Sequence, residues 1–398
     1  MKTIAKSCSA KMRSGMTAGL VAAGLAFSGS ASADSDPVKV GLMLPYTGTF
    51  AQLGEAITNG INMAIEENGG QLGGRQVEIV TVDDESDPSR ATQNAQRLIS
   101  GEGVDFLVGT VHSGVATAMV RVAREEGVPT IIPNAGFNAA TGPLCAPNIF
   151  RTSFSSWQTA YPMGKAAYER GYERMVTVAW RYAFGQESVA GFKQGFEEAG
   201  GEIIREIYVP FPDVEFQAQL AEVASLRPDA VFSFFAGGGA VQYVRDYAAA
   251  GLNETITLTG SGFLTDGTLH AQGEAAEGVL TTLHYSTELD NEYNQRFVQA
   301  YEEKFDMDAD IYAVQGYDTG LLLVRAMQAV NGNTSDQDEL LQAMREVEFP
   351  DSPRGPWEFS RAQHPIQNIY LREVQNGRNI VIDVASEALE DPADGCSM

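Results

Sequence analysis

The segment GTVHSGVATAM, residues 109–119, is where the fold can first be inferred, because a short polar turn here joins a strand pattern to a helix pattern. The apolar run Val104–Val108 predicts a buried strand, and the residues after the turn predict a helix that ends near Glu126. A turn at this place in a parallel α/β sheet presents backbone N–H groups and hydroxyls to a small ligand. Ser113 lies where a helix N-cap is expected, so its hydroxyl and the first N–H groups of the helix favour an anion such as a carboxylate. The alternative is that Ser113 only caps its own helix.

Strand and helix patterns alternate on both sides of this segment. Residues 38–45 predict an early strand of a parallel sheet, and a second series of strands and helices begins at residues 175–180. The alternation predicts an α/β protein with two sheets, in which residues 279–285 form the last parallel strand of the second sheet. The tail changes to strand patterns over residues 356–384, which indicates a hairpin or a meander. The chain therefore crosses between two lobes more than once, and we expect a hinge.

The composition is strongly acidic. The 398 residues include 27 Lys and Arg against 52 Asp and Glu, which gives a formal net charge of −25. This charge argues against nucleic acid and anionic membrane surfaces as partners, because both repel an acidic protein.

The N-terminus has the features of a secretory signal peptide, which we assign to residues 1–33. Basic residues precede a short apolar core, Gly15–Phe27, and Ala31-Ser32-Ala33 is a small-residue cleavage site. The core is too short to span a bilayer, and Cys8 lies before it, so no lipid-attachment cysteine is expected. We therefore predict a freely soluble, periplasmic mature protein.

Two cysteines, Cys145 and Cys396, remain after the signal peptide is removed. An even number in an oxidising compartment favours one disulfide, which would tie the tail, residues 393–398, to the middle of the chain. Two free thiols are the alternative. There is no CxxC motif or Cys/His cluster, so a structural zinc site is not expected.

The remaining motifs do not predict an enzyme. His112 neighbours the central turn, but VHSGVA does not match the G-x-S-x-G nucleophile elbow of hydrolases. The glycine-rich residues 236–240 lack the dinucleotide-binding fingerprint and indicate a close packing turn. The acidic residues 83–87 lack EF-hand spacing, so a solvated acidic loop is favoured over a calcium site. We expect no catalytic residue, cofactor or metal.

Three aromatic residues, Trp157, Tyr182 and Phe184, lie just past strand-like runs. Open α/β sheets bind ligands at the carboxyl ends of their strands, so these rings are candidates to line a pocket. Aromatic residues inside strands more often belong to the core.

Five segments, spread over most of the chain after residue 33, carry a resemblance to a known family. They are VGLMLPYTGTFAQLG (40–54), NGGQLGGRQVEIVTVDDESDP (68–88), DFLVGTVHSGVA (105–116), VPTIIPNAG (128–136) and AEGVLTTLHY (276–285). With them the chain resembles the type I periplasmic solute-binding proteins of ABC importers, the leucine/isoleucine/valine-binding group. The resemblance implies two Rossmann-like lobes, joined by three crossover segments, that close on a solute in the interlobe cleft. We expect residues 34–154 plus 286–350 to form the N-terminal lobe and residues 155–285 plus 351–392 to form the C-terminal lobe.

The resemblance also implies a binding site, residue by residue. Ser113 lies where the family has a hydroxyl on the ligand carboxylate. Asn134 and Gly136 lie where a backbone group and a further hydroxyl act, so Gly136 would offer only its N–H. Leu53 takes the place of an aromatic residue common in amino-acid binders, and Phe184 matches an aromatic residue of the opposite lobe.

Two positions depart from the pattern of amino-acid binders. Ala236 lies where those proteins have a tyrosine, and Gly262 lies where they have the glutamate that holds the ligand ammonium. A buried ammonium without a carboxylate partner is costly, which disfavours an α-amino acid as ligand. The small residues at 236–240 and 260–262 are expected to leave room for a larger, flat ligand. The chain looks more like the branch that binds aromatic acids such as benzoate, hydroxybenzoates or hydroxycinnamates.

We therefore predict a monomeric binding protein that delivers an aromatic carboxylate to the membrane permease of an ABC importer. The ligand carboxylate is expected to accept hydrogen bonds from the Ser113 hydroxyl and from the N–H groups of Ser113, Gly114, Ala135 and Gly136. The ring is expected to contact Trp157, Phe184 and Phe263. A hydroxyl on the ring is expected to contact His112, Arg181 or Gln158.

Two alternatives remain at this stage. One is an amino-acid binder of the same importer class that uses Glu187 or Asp266 as its ammonium partner. The other is an enzyme or a sensor ectodomain, against which the missing catalytic constellation and the missing second apolar span argue.

Overall fold

The computed structural model describes residues 36–398, and the predicted signal peptide lies outside these residues. A first sheet has the strand order β2-β3-β1-β4-β5-β6. Its strands are β1 (Val38–Leu44), β2 (Gln71–Leu72), β3 (Arg75–Asp83), β4 (Phe106–Gly109), β5 (Thr130–Ile132) and β6 (Ile149–Arg151). All neighbours are parallel except β2 and β3, which pair antiparallel. The central strand β1 is almost entirely apolar because helices cover both faces of the sheet.

A second sheet has the order β12-β13-β11-β10-β9-β7-β8, with β14 paired to β13. Its strands are β7 (Arg174–Trp180), β8 (Glu202–Val209), β9 (Ala230–Phe234), β10 (Thr257–Ser261), β11 (Leu280–Leu283), β12 (Glu358–Phe359), β13 (Pro365–Gln375) and β14 (Arg378–Leu389). The strands β7 to β11 are parallel, and β13 joins β11 antiparallel. The predicted last parallel strand and the predicted tail hairpin are both confirmed.

Eleven α-helices of the described residues flank the two sheets. They are α1 (Ala51–Glu67), α2 (Pro88–Gln96), α3 (Ser113–Glu126), α4 (Ser156–Glu169), α5 (Ala183–Ala199), α6 (Gln217–Leu226), α7 (Gly237–Ala249), α8 (Leu269–Gln272), α9 (Glu292–Phe305), α10 (Ile311–Ala329) and α11 (Gln337–Arg345). The pattern predicted one helix from Ser89 to Ser100, but α2 gives way to a π-helical turn at Arg97–Gly101.

The chain crosses between the two sheets three times. It leaves the first sheet after β6 and returns after β11, because α9 and α10 pack on α1 and α11 packs on α10. It then crosses back to add β12, β13 and β14 to the second sheet. The close packing of α1 on α10 depends on glycine: a Cβ at Gly320 would lie 2.7 Å from the Ala64 Cβ. This contact attaches a helix from late in the chain to the first sheet.

The predicted disulfide between Cys145 and Cys396 is present, with the two Cα atoms 5.6 Å apart. It connects the loop between β5 and β6 to the C-terminal tail. Within residues 36–398, no helix is long and apolar enough to cross a membrane.

Candidate functional site

A small cavity of about 20 Å³, measured as the space open to the centres of water molecules, lies where the carboxyl ends of strands from both sheets meet. Its lining residues are Phe50, Leu53, Val111, Asn134, Phe154, Tyr182, Phe184, Phe234, Ala236, Phe263 and Tyr312. Seven of the eleven are aromatic, and none of the lining side chains carries a charge at neutral pH. The apolar lining with few polar groups is typical of sites for small organic molecules. The free space is too small for an aromatic ring, so the lining side chains must move apart to admit one.

Local topology explains why these residues meet. Val111 and Asn134 follow β4 and β5, which are parallel neighbours paired through Val108 and Ile131. On the other side, Tyr182 follows β7, and the 3-10 turn Gly262–Leu264 after β10 carries a further ring of the lining. Carboxyl ends of parallel strands lie at one edge of a sheet, so each sheet contributes one wall of the cavity.

The aromatic rings of the lining form a connected cluster. The centroids of Phe184 and Phe234 are 4.2 Å apart, and those of Phe154 and Phe263 are 4.7 Å apart. Phe184 and Phe263 meet edge to face at 5.6 Å. The rings contact one another directly, so a flat apolar ligand would lie against the cluster, with both stacking and edge contacts.

The hydroxyl of Ser113 is buried and has no hydrogen-bond partner among the described residues. The N-cap of α3 is His112, whose Nδ1 accepts a hydrogen bond of 3.1 Å from the Gly114 N–H. Ser113 is the first residue of the helix, so the prediction that it is the N-cap is wrong. The correction strengthens the case for a ligand, because an unpaired buried hydroxyl is unfavourable unless something else binds it.

Of the four predicted backbone donors, two are already occupied. The Gly114 N–H donates to His112, and the Ala135 N–H donates to the Thr110 carbonyl at 2.9 Å. The N–H groups of Ser113 and Gly136 make no hydrogen bond among residues 36–398.

Gly136 lies directly against the aromatic cluster. A Cβ at this position would lie 2.5 Å from Phe154 Cε2 and 2.6 Å from Phe184 Cε2, which leaves no room for a side chain. Its carbonyl accepts hydrogen bonds from the N–H and the hydroxyl of Ser156, so the loop is held firmly in this position. The prediction that this residue offers only its backbone is consistent with the geometry.

His112 connects the first wall of the cavity to the second. Its ring stacks on Tyr182 with centroids 4.5 Å apart and lies 4.9 Å from Phe211. Burial lowers the pKa of His112 to about 4, although Asp87 opposes the shift, so the imidazole is neutral at pH 7. It does not line the cavity, and its Nδ1 is used to cap α3, so the structure gives it no contact with a ring hydroxyl.

Two predicted ligand contacts lie elsewhere. Trp157 stacks on Tyr161 with centroids 4.5 Å apart and donates to Gln194 from its indole nitrogen. Arg181 is exposed and extends over the ring of Tyr208. Neither residue belongs to the lining, because each side chain turns away from the cavity towards its own neighbours.

Gln158 is also committed to the fold. Its Nε2 donates to the carbonyls of Pro365 and Leu389, and its Oε1 lies 2.7 Å from His364 Nε2. These bonds attach α4 to the tail strands, so the amide is not available to a ligand.

The small residues after β9 and β10 pack against protein rather than leave space for a ligand. A Cβ at Gly262 would lie 2.5 Å from Leu283 Cβ and from Arg372 Nη2, and one at Gly239 would overlap the Trp180 ring. Only Ala236 of these positions lines the cavity. The expectation that they enlarge the pocket is therefore wrong, with the exception of Ala236.

Both carboxylates proposed as ammonium partners are engaged within the protein. The Glu187 Oε2 accepts from the Asn138 N–H at 2.9 Å, and Asp266 forms a buried ion pair with Arg372. Neither lines the cavity.

The acidic loop after β3 is partly buried rather than fully solvated. Asp84 accepts hydrogen bonds from the Thr110 hydroxyl and the Ser86 N–H, and burial raises its pKa to about 6. No group of three or more potential metal ligands occurs among residues 36–398.

Five lining residues were not predicted from the sequence as ligand contacts: Phe50, Val111, Phe154, Phe234 and Tyr312. Phe154 lies on the first crossover, and Tyr312 lies at the start of α10, which belongs to a distant part of the chain. The Tyr312 hydroxyl is buried and without a partner among the described residues. A possible signal was the Asp310 N-cap, which places Tyr312 in the first turn of its helix.

The chain is similar to known proteins over most of its length. A family model described as "Periplasmic binding protein" matches residues 37–379. A Leu/Ile/Val-binding protein homolog from Brucella melitensis is 32% identical, over 87% of this chain and 89% of that protein.

Two solved structures from Rhodopseudomonas palustris are especially informative. One is an ABC-transporter solute-binding protein in complex with benzoate, 50% identical, with a TM-score of 0.89 over 91% of this chain and 100% of the other. The second is a solute-binding protein in complex with 3,4-dihydroxybenzoic acid, 33% identical, with a TM-score of 0.85 over 89% of this chain and 99% of the other.

Proposed function

The chain belongs to the periplasmic binding protein family, and we propose that it is the solute-binding component of an ABC importer for a small aromatic carboxylate, of the benzoate, hydroxybenzoate or hydroxycinnamate type. The observation that carries this proposal is the cavity: seven aromatic rings and no charged side chain surround it, and the unpartnered hydroxyl of Ser113 lies two residues from its lining.

Each half of such a ligand has a complementary surface. The ring would lie among Phe154, Phe184 and Phe263, where dispersion and edge contacts with aromatic groups are favourable. The carboxylate would accept hydrogen bonds from the Ser113 hydroxyl and from the free N–H groups of Ser113 and Gly136. A carboxylate that accepts several such bonds remains ionised when buried. A hydroxyl on the ring would find a partner in the unpaired Tyr312 hydroxyl.

An α-amino acid fits this cavity less well. Its ammonium needs a carboxylate or several acceptors, and a buried ammonium without them costs several kcal/mol. The cavity offers the Asn134 amide oxygen as an acceptor, while its amide nitrogen donates to Gln315. Glu187 and Asp266 would first have to break their present interactions.

In a transport role, the cavity would hold the ligand between the two lobes until it is delivered. In this proposal the lobes, residues 34–154 plus 286–350 and residues 155–285 plus 351–392, close on the ligand, and a membrane permease receives the closed form in the periplasm. The protein acts as a monomer without a nucleic acid partner.

Isothermal titration calorimetry on the purified mature protein tests the ligand assignment. Benzoate, 4-hydroxybenzoate, 4-hydroxycinnamate, benzamide and leucine would be titrated in parallel. We expect heat of binding with at least one of the three aromatic carboxylates and none with leucine. Binding of leucine without any response to the aromatic acids would contradict the ligand assignment and leave the transport role intact.

A further inference from the structure

Arg151, the last residue of β6, lies behind the loop that carries Gly136 and is only 2% exposed. We propose that Arg151 is the counter-charge of the ligand carboxylate and acts through the Ala135–Gly136 peptide group, without touching the ligand. This inference rests on the proposed function, because it assumes that an aromatic carboxylate binds beside Gly136.

The charge of Arg151 is not matched by an ion-pair partner in the part of the chain that the structure describes. Two other buried arginines have one: Arg354 lies 2.9 Å from Asp318, and Arg372 pairs with Asp266. Among residues 36–398, Arg151 forms no such ion pair. A buried cation without a counter-ion is unfavourable, so an anion that binds nearby relieves part of that cost.

Arg151 nevertheless keeps its proton. Burial lowers its pKa to about 10, and the more distant carboxylates of Asp391 and Glu187 oppose the shift. The side chain is therefore a cation at neutral pH, where the ligand is a carboxylate.

The guanidinium is bonded to the backbone of the binding loop. Its Nη1 donates to the carbonyls of Ala135 at 3.3 Å, Phe137 at 3.2 Å and Phe154 at 2.9 Å. In a trans peptide group the C=O and the N–H point in opposite directions. Because the Ala135 carbonyl faces Arg151, the Gly136 N–H of the same peptide group points away from it.

The Phe137–Asn138 peptide group, two positions further along the same loop, shows the same arrangement with a side-chain carboxyl group as the acceptor. The Phe137 carbonyl accepts from Arg151, and the Asn138 N–H of that peptide group donates to the Glu187 carboxylate at 2.9 Å. One polarised peptide thus binds a protein carboxylate. The other, with its N–H at Gly136, has no partner among the described residues and lies beside the aromatic cluster.

A peptide group between a cation and an anion is polarised by both, and its hydrogen bonds are strengthened. Hydrogen bonds to ionised groups are also the stronger ones, so the carboxylate gains more from this N–H than a neutral ligand does. Arg151 would therefore determine preference for a charged over an uncharged ligand head group. A merely structural arginine would support both equally.

The experiment compares benzoate with benzamide, which keeps the ring and the carbonyl and lacks the charge. Calorimetry on Arg151→Gln is expected to show a loss of benzoate affinity of about 10- to 100-fold, with less than about a threefold change for benzamide. Arg151→Lys, which keeps the charge, should lose less benzoate affinity than Arg151→Gln. Arg354→Gln is the matched control: it removes a buried arginine that has its own carboxylate, and should change both ligands alike.

Proton exchange gives a second readout, available even if the variants fail to fold. Titrations of the wild-type protein near pH 8, well above the pKa of about 6 of Asp84, in buffers with different ionisation enthalpies, should show that benzoate binds without taking up a proton. Proton uptake by the wild-type complex would overturn the inference, as would equal losses for benzoate and benzamide in folded Arg151→Gln. Absence of any benzoate binding to the wild type would instead contradict the proposed function.

Discussion

The two walls of the cavity are built differently. The polar wall, which we define as Ser113, Asn134 and Gly136, comes from loops that follow strands of the first sheet and offers backbone N–H groups, one hydroxyl and one amide. Of these three residues only Asn134 lines the cavity, and Ser113 and Gly136 lie next to the lining. The aromatic wall, defined as Tyr182, Phe184, Phe234 and Phe263, comes from the second sheet and presents side chains only. The polar wall depends on loop conformation, whereas the aromatic wall depends on side-chain identity. Substitutions in the aromatic wall should therefore change which ring is accepted, and changes in the polar wall should affect the carboxylate.

The largest expected effect is in the aromatic wall. Phe184→Ala removes a ring that is only 4% exposed and packs on Phe234 and Phe263. We expect the free energy of unfolding to fall by about 3–5 kcal/mol, because a buried aromatic side chain is lost and a cavity remains. Urea denaturation of the ligand-free protein measures this change. Phe184→Leu fills most of the space and should recover much of the stability; an equal loss in both variants would contradict the packing argument.

The next largest effect, that of Ser113→Ala, distinguishes the polar wall from the aromatic wall because it concerns ligand affinity and not stability. Ser113→Ala should lower benzoate affinity by about 10- to 100-fold, since a hydrogen bond to a charged group is lost. The free energy of unfolding should stay the same or rise, because the removed hydroxyl is buried without a partner in the described protein. Calorimetry and urea denaturation measure the two quantities.

Ser113→Thr retains the hydroxyl and serves as the control for this position. If Ser113→Ala destabilised the ligand-free protein as strongly as Phe184→Ala, the distinction between the polar and aromatic walls would fail.

The contact between the walls should depend on pH. His112 has a pKa of about 4 when folded, against roughly 6.5 in an unfolded chain. Between these values the unfolded state binds more protons, so the contribution of His112 to stability falls as the pH drops from about 6.5 towards 4. His112→Asn keeps an N-cap oxygen and does not titrate.

We therefore expect the stability of the wild type relative to His112→Asn to fall by about 2 kcal/mol between pH 7 and pH 5. Urea denaturation at the two pH values measures it, and groups that titrate in both proteins, such as Asp84, cancel in the difference. A difference that does not change with pH would show that the His112 imidazole is not buried as the structure describes.

The smallest expected effect lies outside both walls. Trp157→Leu should change benzoate affinity by less than about twofold, because its ring packs on Tyr161 away from the cavity. A large loss measured by calorimetry would mean that the aromatic wall extends further than the lining residues described above.

Much of the architecture could be predicted from the sequence, because it depends on local patterns. Alternating strand and helix signals indicated the two sheets, and the change of pattern after residue 356 indicated the tail hairpin. The disulfide followed from the number of cysteines and the compartment. The helix from Ser113 to Glu126 has its predicted end, although His112 replaces Ser113 as its cap. Serine is the commoner N-cap, and only the side-chain conformation shows that a histidine nitrogen performs this role.

The site was harder to predict because it depends on contacts between distant segments. Small residues such as Gly239 and Gly262 suggest from the sequence that the pocket is wider there. In the structure, the side chains of Trp180 and Arg372, which come from other strands, occupy that space. Tyr312 reaches the cavity only because α10 packs on α1, far from it in sequence. Periodicity and spacing contain no information about such packing.

The disulfide has a practical consequence for work on this protein. Cys145 belongs to the same loop between β5 and β6 as Gly136, so the crosslink to Cys396 restrains the segment that is proposed to receive the carboxylate. Protein produced in a reducing compartment would lack this restraint. Affinities measured on such material would describe a looser loop, so export to the periplasm or oxidative refolding is the appropriate route of preparation.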